Sequence, residues 1–456
     1  MKHPSILILG MIVMLVLVAF ACTRTTPEKV KPAPTTVKNL EWVKNAVIYE
    51  VNVRQYSKEG TFNAFAKDLP RLKSLGIDIL WLMPINPIGK LNRKGPLGSY
   101  YSVQDYKAVN PEFGNMDDFK NLVKKVHEQG MKIIIDWVPN HSSWDNPMIK
   151  EHPEYYLKDS TGKMVSPFDW TDVVRFDYNN ADMRKWMIET MKFWLTETDI
   201  DGFRCDVAHM VPVSFWDSCR IELDKTKLIF FLAEADQPFL HANAFDASYD
   251  WKFHHIMNQT AKGKKNANDI TKHFNWVDTA YPQGSILMQF TSNHDENSWN
   301  GTEYERMGDG AKTFAALTFI VPGMPLIYTG QESGFNRRLK FFEKDSIDWK
   351  DYPLTSFYQK LISIKKDNKA LWNGFAGGSL QRINLTDNKH VMAIQRTKET
   401  NTVIGIFNFT SKTKNFAIES YISGNYTEAF SGKNIELHQY KKMQLAPWEF
   451  LILVKK

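Results

Sequence analysis

From residue 46 onward, short apolar runs alternate with stretches in which apolar residues recur every three or four positions. Runs of the first kind read as strands and the second as amphipathic helices. AVIYEVNV (47–54), DILWLMPI (78–85), KIIIDWV (132–138), GFRCDV (202–207) and IFFLAEA (229–235) predict five strands. AFDASYD (244–250), ILMQFTSN (286–293) and PLIYTG (325–330) predict three more. Helical periodicity marks 62–76, which ends on Gly76, and 116–130, which begins acidic and ends on Gly130; it recurs over 183–195, 311–321 and 356–371. The strands are almost continuously apolar, as parallel strands covered on both faces must be. Eight such strands alternating with helices predict an α/β fold, a (β/α)8 TIM barrel over 46–372. An excursion over 141–180 interrupts the alternation after the third strand.

Beyond residue 372 the texture changes. VMAIQRT, VIGIFNF and FLILVKK are strand-like and separated by turn residues, so 373–456 is expected to be a C-terminal all-β sandwich. At the other end, a short basic head precedes an apolar run from Ile6 to Phe20. That run is short for a spanning helix and has the layout of an export signal over 1–21. Ala19-Phe20-Ala21-Cys22 resembles a bacterial lipobox, which implies lipidation of Cys22, a membrane anchor, and a location at the periplasmic or outer cell surface. The Pro-, Thr- and Lys-bearing stretch that follows, taken to residue 45, reads as a tether.

Charge matters only through its location. The net charge is +6, but residues 1–45 hold +4 of it, so the folded part is nearly neutral. A nucleic-acid partner loses its main support, and no motif for one is present. Export would permit a disulfide. Cys205 falls in an expected buried strand, however, so Cys205 and Cys219 are expected to be free, buried thiols.

Polar residues cluster where the strands end. Asp136, Asn140 and His141 follow the third strand, Arg204 and Asp206 the fourth, Glu234 the fifth, and His294 and Asp295 the seventh. In a (β/α)8 barrel those ends form the active-site face. One strand-end acid is ordinary, whereas several acids, two histidines and an arginine converging on one rim indicate chemistry. Arg204 and Asp206 are two residues apart and share one side of their strand. Neither HxH nor HExxH occurs, which argues against a metal-dependent barrel hydrolase.

DWVPNH (136–141), GFRCDV (202–207), AEAD (233–236) and SNHDE (292–296) resemble, in order and placement, the motifs of the α-amylase family of glycoside hydrolases. GIDILWLMPI (76–85), YSVQDYKAVNPEFG (101–114), FDYN (176–179) and GMPLIYTGQE (323–332) resemble its supporting segments. The resemblance implies a retaining glycosidase with Asp206 as nucleophile, Glu234 as general acid/base and Asp295 as transition-state stabiliser. It makes Tyr101, His141, Arg204 and His294 sugar-site residues, with Tyr101 the stacking platform. The apolar FFLAEA run is expected to raise the pKa of Glu234, and Arg204 to keep Asp206 ionised.

The implied activity is cleavage of α-1,4-glucosidic bonds in starch-like glucans or maltooligosaccharides, endo-acting as in an α-amylase. Neopullulanase, maltogenic, α-glucosidase or transglycosylase action is the alternative, and a non-catalytic glycan-binding lipoprotein the remote one. His209 and Met210 stand where many α-amylases carry Lys-His; His209 is therefore a candidate contact on the leaving side. The chemistry needs no cofactor. The resemblance leaves a structural calcium open, at Asn140 and Asp177. The short excursion implies an open cleft, and the oligomeric state is left open.

Overall fold

The computed structural model describes residues 40–349 and 352–455. The expected signal segment, Cys22 and most of the expected tether lie outside them. Among the described residues no helix is long and apolar enough to cross a membrane.

Eight parallel strands close into a barrel: β1 (Ile48–Val51), β2 (Ile79–Leu82), β3 (Lys132–Trp137), β6 (Gly202–Cys205), β7 (Phe230–Ala233), β8 (Ala247–Tyr249), β9 (Ile286–Gln289) and β10 (Met324–Tyr328), with β10 pairing back onto β1. The (β/α)8 expectation is met. The excursion contributes β4 (His141–Ser143) and β5 (Val173–Arg175), an antiparallel pair with His141 opposite Arg175.

Both faces of the barrel strands are apolar because each has a separate partner. One set of alternating residues, Ile48, Ile79, Trp81, Ile134, Phe230 and Leu232 among them, fills the interior with Tyr249, Met288 and Leu326. The other set, including Val47, Tyr49, Leu80, Ile133, Phe203 and Phe231, packs against the helices. Helix Met116–Glu128 starts with a capping box between Asn115 and Asp118, which satisfies two otherwise orphaned N–H groups.

Leu40, Val43 and Ala46 join the interior cluster. Residues 40–45, expected as tether, are thus part of the folded body: Glu41–Val43 form a single 3-10 turn, and Asn373 donates to the Val43 and Ala46 carbonyls. The apolar pair Leu40 and Val43 gains more from burial than an extended linker would gain from hydration.

The C-terminal strands are β11 (Leu380–Ile383), β12 (Val391–Lys398), β13 (Asn401–Asn408), β14 (Lys414–Ala417), β15 (Ser423–Glu428), β16 (Asn434–His438), β17 (Lys442–Leu445) and β18 (Phe450–Lys455). Six form an antiparallel sheet in the order β11-β12-β13-β18-β15-β16, and β14 pairs with β17. Val391, Ala393, Ile404 and Ile406 face a core shared with Phe416 and Leu445 of the smaller sheet. Met392, Ile394, Val403 and Phe407 face the barrel's own core. Cys205 and Cys219 are free and buried, as expected.

Candidate active site

Period-two alternation carries the apolar interior into a polar layer at its upper end. Glu50 follows Ile48, Asp136 follows Ile134, Arg204 and Asp206 follow Gly202, and Glu234 follows Leu232, each at an even spacing on the inward side. The sequence thus builds one barrel interior, apolar below and ionisable at the rim.

Arg204 is the hub. Its Nη1 lies 2.8 Å from Asp136 Oδ1 and 3.0 Å from Asp206 Oδ1; its Nη2 lies 3.1 Å from Glu234 Oε2, and its Nε donates to Tyr249 Oη at 3.2 Å. The Nη2 contact is an ion pair without hydrogen-bond alignment. The guanidinium also lies 5.1 Å from the Trp81 ring centre, a cation–π contact. Tyr101 Oη donates to Asp136 Oδ2 at 3.0 Å and meets His294 Nε2 at 2.7 Å, and its ring stacks on His294 at 5.5 Å. His294 Nδ1 lies 2.5 Å from Glu50 Oε1, and Nε2 lies 3.4 Å from Asp295.

Glu234 is held differently. Its Oε2 accepts the backbone N–H of Val207 at 2.7 Å. Val207 has φ +36°, a left-handed conformation that a β-branched residue adopts only at a cost of roughly 1–3 kcal/mol. The turn after Asp206 therefore aims a main-chain donor at the second carboxyl.

Electrostatics follow from burial and from sharing a single cation. Burial, followed by repulsion from Glu234, pushes Asp206 well above the usual carboxylate range, and Arg204 pulls against both. Burial likewise lifts Asp136 to about 6 against the attraction of Arg204. Burial disfavours charge on His294, but Asp295 and Glu50 outweigh it and raise that residue to about 9. Burial drops His141 to about 3, so it is neutral; its Nδ1 faces the Asn140 amide at 3.1 Å. Two expectations need correction. Arg204 does not by itself hold Asp206 ionised, because three carboxylates divide its charge. Glu234 is not in apolar surroundings, because strand alternation turns it away from Phe231 and Ala233 toward Arg204 and the Val207 N–H.

A 470 Å³ cavity opens over these groups, and Tyr101, His141, Asp206, Glu234, His294 and Asp295 all line it. The structure thus brings together every expected site residue except His209 and the calcium pair, with Arg204 directly beneath Asp206. His209 is exposed on the turn Ala208–Met210 and is not part of the cavity wall. Phe176, next to Asp177, donates its N–H to the Asn140 carbonyl. Asp177 Oδ1 already accepts from the Asn179 main chain and amide. No group of three or more acidic, histidine or cysteine side chains able to hold a metal occurs among the described residues. Calcium takes six to eight oxygens, of which the Asn140 and Asp177 side chains would supply a part. Sequence reasoning missed Glu50, Tyr249 and the aromatic wall of Trp170, Trp299, Phe341 and Phe342. Glu50 had a signal, an acid at the inward parity of a strand end; the wall residues sit on loops and, for Trp299, on the short helical turn Glu296–Asn300, and had none.

An arginine-bridged pair of carboxyls beneath a sugar-sized cavity, on the C-terminal rim of a (β/α)8 barrel, defines the glycoside-hydrolase class of barrel proteins. The model of the α-amylase catalytic domain matches residues 38–175 and 150–417, and the chain belongs to that family. The crystal structure of a noncanonic maltogenic α-amylase, AmyB from Thermotoga neapolitana, superimposes with a TM-score of 0.84 at 30% identity, covering 91% of this chain and 99% of that one. The α-amylase MalA of Haloarcula japonica is 27% identical over 412 residues, 86% of this chain; the chain spans only 59% of MalA's length. The intracellular maltogenic amylase of Bacillus subtilis is 24% identical, covering 91% of this chain and 77% of that protein.

Proposed function

We propose that this chain is a retaining hydrolase of α-1,4-linked glucans that acts on maltooligosaccharides with maltogenic-type products. The observation that carries the reading is the convergence of Asp206 and Glu234 on one guanidinium under the cavity. Two relatives named maltogenic favour this product type over the endo-acting alternative. In the proposed reaction Asp206 attacks the anomeric carbon with Oδ2, since Oδ1 is engaged by Arg204. Glu234, anchored through Oε2 by the Val207 N–H, gives its proton to the departing glycosidic oxygen. The glycosyl ester on Asp206 is then cleaved by water, whose proton returns to Glu234. This sequence needs Asp206 ionised at its start, and Arg204 favours that state against burial and the repulsion of Glu234. Asp295, His141 and protonated His294 hold sugar hydroxyls, and Tyr101 stacks on the ring.

Incubation with maltotriose, pullulan and starch separately, with products resolved by chromatography, tests the reading. Maltose and glucose from maltooligosaccharides are expected, with the α-anomer formed first. Asp206→Ala is expected to lower turnover by roughly 10³-fold or more with the melting temperature retained; equal turnover by the variant would refute the mechanism. Anchoring through Cys22 belongs to the same proposal and rests on the lipobox-like Ala19–Cys22 segment. Radiolabelled palmitate should enter the expressed protein and be absent from Cys22→Ser; label retained in that variant excludes this anchor.

A further inference from the structure

The loop between β2 and helix Met116–Glu128 is fastened on two flanks. On one, Lys94 Nζ donates to the Asp169 carbonyl at 3.2 Å and pairs with Asp172 at 3.4 Å, both in the excursion. Asp172 is only 4% exposed, so this partner is fixed. Three residues on, the Leu97 N–H donates to the Phe342 carbonyl at 3.0 Å, in the segment after β10. Gly95 lies directly against Phe342, where a Cβ would come within 2.5 Å of that side chain. The loop therefore spans from the excursion to the β10 segment as a strap, and Lys94, Asp172 and Phe342 line the same cavity as Asp206 and Glu234.

Strand order places the strap. Around the barrel, β7 with Glu234 is four positions from β1, diametrically across, while β2 and β10 flank β1. The strap is the loop after β2 and is fastened to the segments after β3 and β10; β2, β1 and β10 are consecutive in the barrel, so its body stands on the side of the cavity away from Glu234. The leaving group must depart on the side of its proton donor. The strapped side is then the one that receives the non-reducing end of the glucan. Phe341 carries the stacking surface outward from Tyr101, at 6.3 Å and 12° between rings, and Trp299, 52% exposed, follows at 5.2 Å.

We propose that the Lys94–Phe342 strap is an end wall that limits the glycone side to a short stretch and selects chain ends. A 470 Å³ cavity has room for about two or three sugar rings. A terminal glucose has a free 4-hydroxyl, which an internal residue lacks; Lys94 and Asp172 supply a donor and an acceptor at the wall to meet it. The short excursion does not leave the cleft open on this side, because a strap from another loop crosses to it. This inference rests on the reading of Asp206 and Glu234 given above.

The test compares maltoheptaoside with the same oligosaccharide capped at its non-reducing 4- and 6-hydroxyls as an ethylidene acetal. The wild type is expected to cleave the free form about 10-fold or more faster than the capped form. Lys94→Ala and, separately, Phe342→Ala are expected to reduce that preference to about a third or less and to lengthen the first products. Equal rates on the two probes in the wild type, or a preference unchanged in both variants, overturns the end wall and leaves the hydrolase reading standing. Failure to cleave either probe and maltotriose overturns the hydrolase reading itself.

Discussion

His294 shows how single contacts set charge in this site. A neutral imidazole would suit its burial, yet Glu50 and Asp295 hold it protonated to about pH 9. A histidine whose folded value exceeds its unfolded one, near 6.5, binds its proton more tightly in the native state. Its stabilising contribution is complete below about pH 6.5 and is lost as pH rises through about 9. Melting temperature should therefore fall between pH 7 and 10 by calorimetry, and the fall should be shallower in His294→Gln. A variant with the same pH slope as the wild type contradicts this account. The motif residues of this layer could be read from the chain because a few types serve the chemistry and each ends a strand. Glu50, outside the motifs, was not singled out, because only its buried pairing with His294 distinguishes it from any other strand-end acid. The left-handed Val207 has no sequence signal at all; its conformation is imposed by the turn that points its N–H at Glu234.

Among the elements, β6 carries the tightest local constraint. Gly202 opens it with φ +152°, and a Cβ there would lie 1.9 Å from the Phe230 carbonyl oxygen of β7. Because that obstacle is backbone, it cannot rotate away. Gly202→Ala is expected to cost more than about 3 kcal/mol and to give little soluble protein, with any folded fraction melting well below the wild type. A normal melting temperature would show that β6 and β7 can separate without loss. The barrel strands could be read from sequence because burial on both faces leaves continuous apolar runs. β14 to β17 could not, because their segments, such as KNFA and SGNYTE, carry polar residues on exposed faces and only single buried apolar side chains such as Phe416 and Tyr426. The correction at Glu234 belongs to the same scale: its neighbours in sequence are apolar, but a strand turns alternate residues to opposite sides.

Across the whole molecule, barrel and C-terminal sheets share an apolar seam. Phe314 of the barrel helix Ala311–Ile320 stacks on Phe409 at 5.2 Å, and Phe407 continues the stack at 6.0 Å. Gly405 permits the close approach of Ile320. Arg396, 1% exposed, donates to the carbonyls of Val321, Gly378 and Trp372. Deletion of 373–456 should therefore yield aggregated barrel rather than a smaller soluble enzyme, checked by size-exclusion chromatography. A monomeric, active truncation would make the sheets an independent appendage.

The sequence alone determined the barrel, the all-β character of its C-terminal partner and the identity of the ionisable residues at the rim. Those features rest on periodicity and residue type, which are local and written directly in the chain. Only the tertiary structure decided how one guanidinium is divided among three carboxylates, that residues 40–45 plug the barrel floor, and that a strap links the excursion to the β10 segment. Each of these depends on groups far apart in sequence meeting in space, where burial and shared charge override what near neighbours suggest.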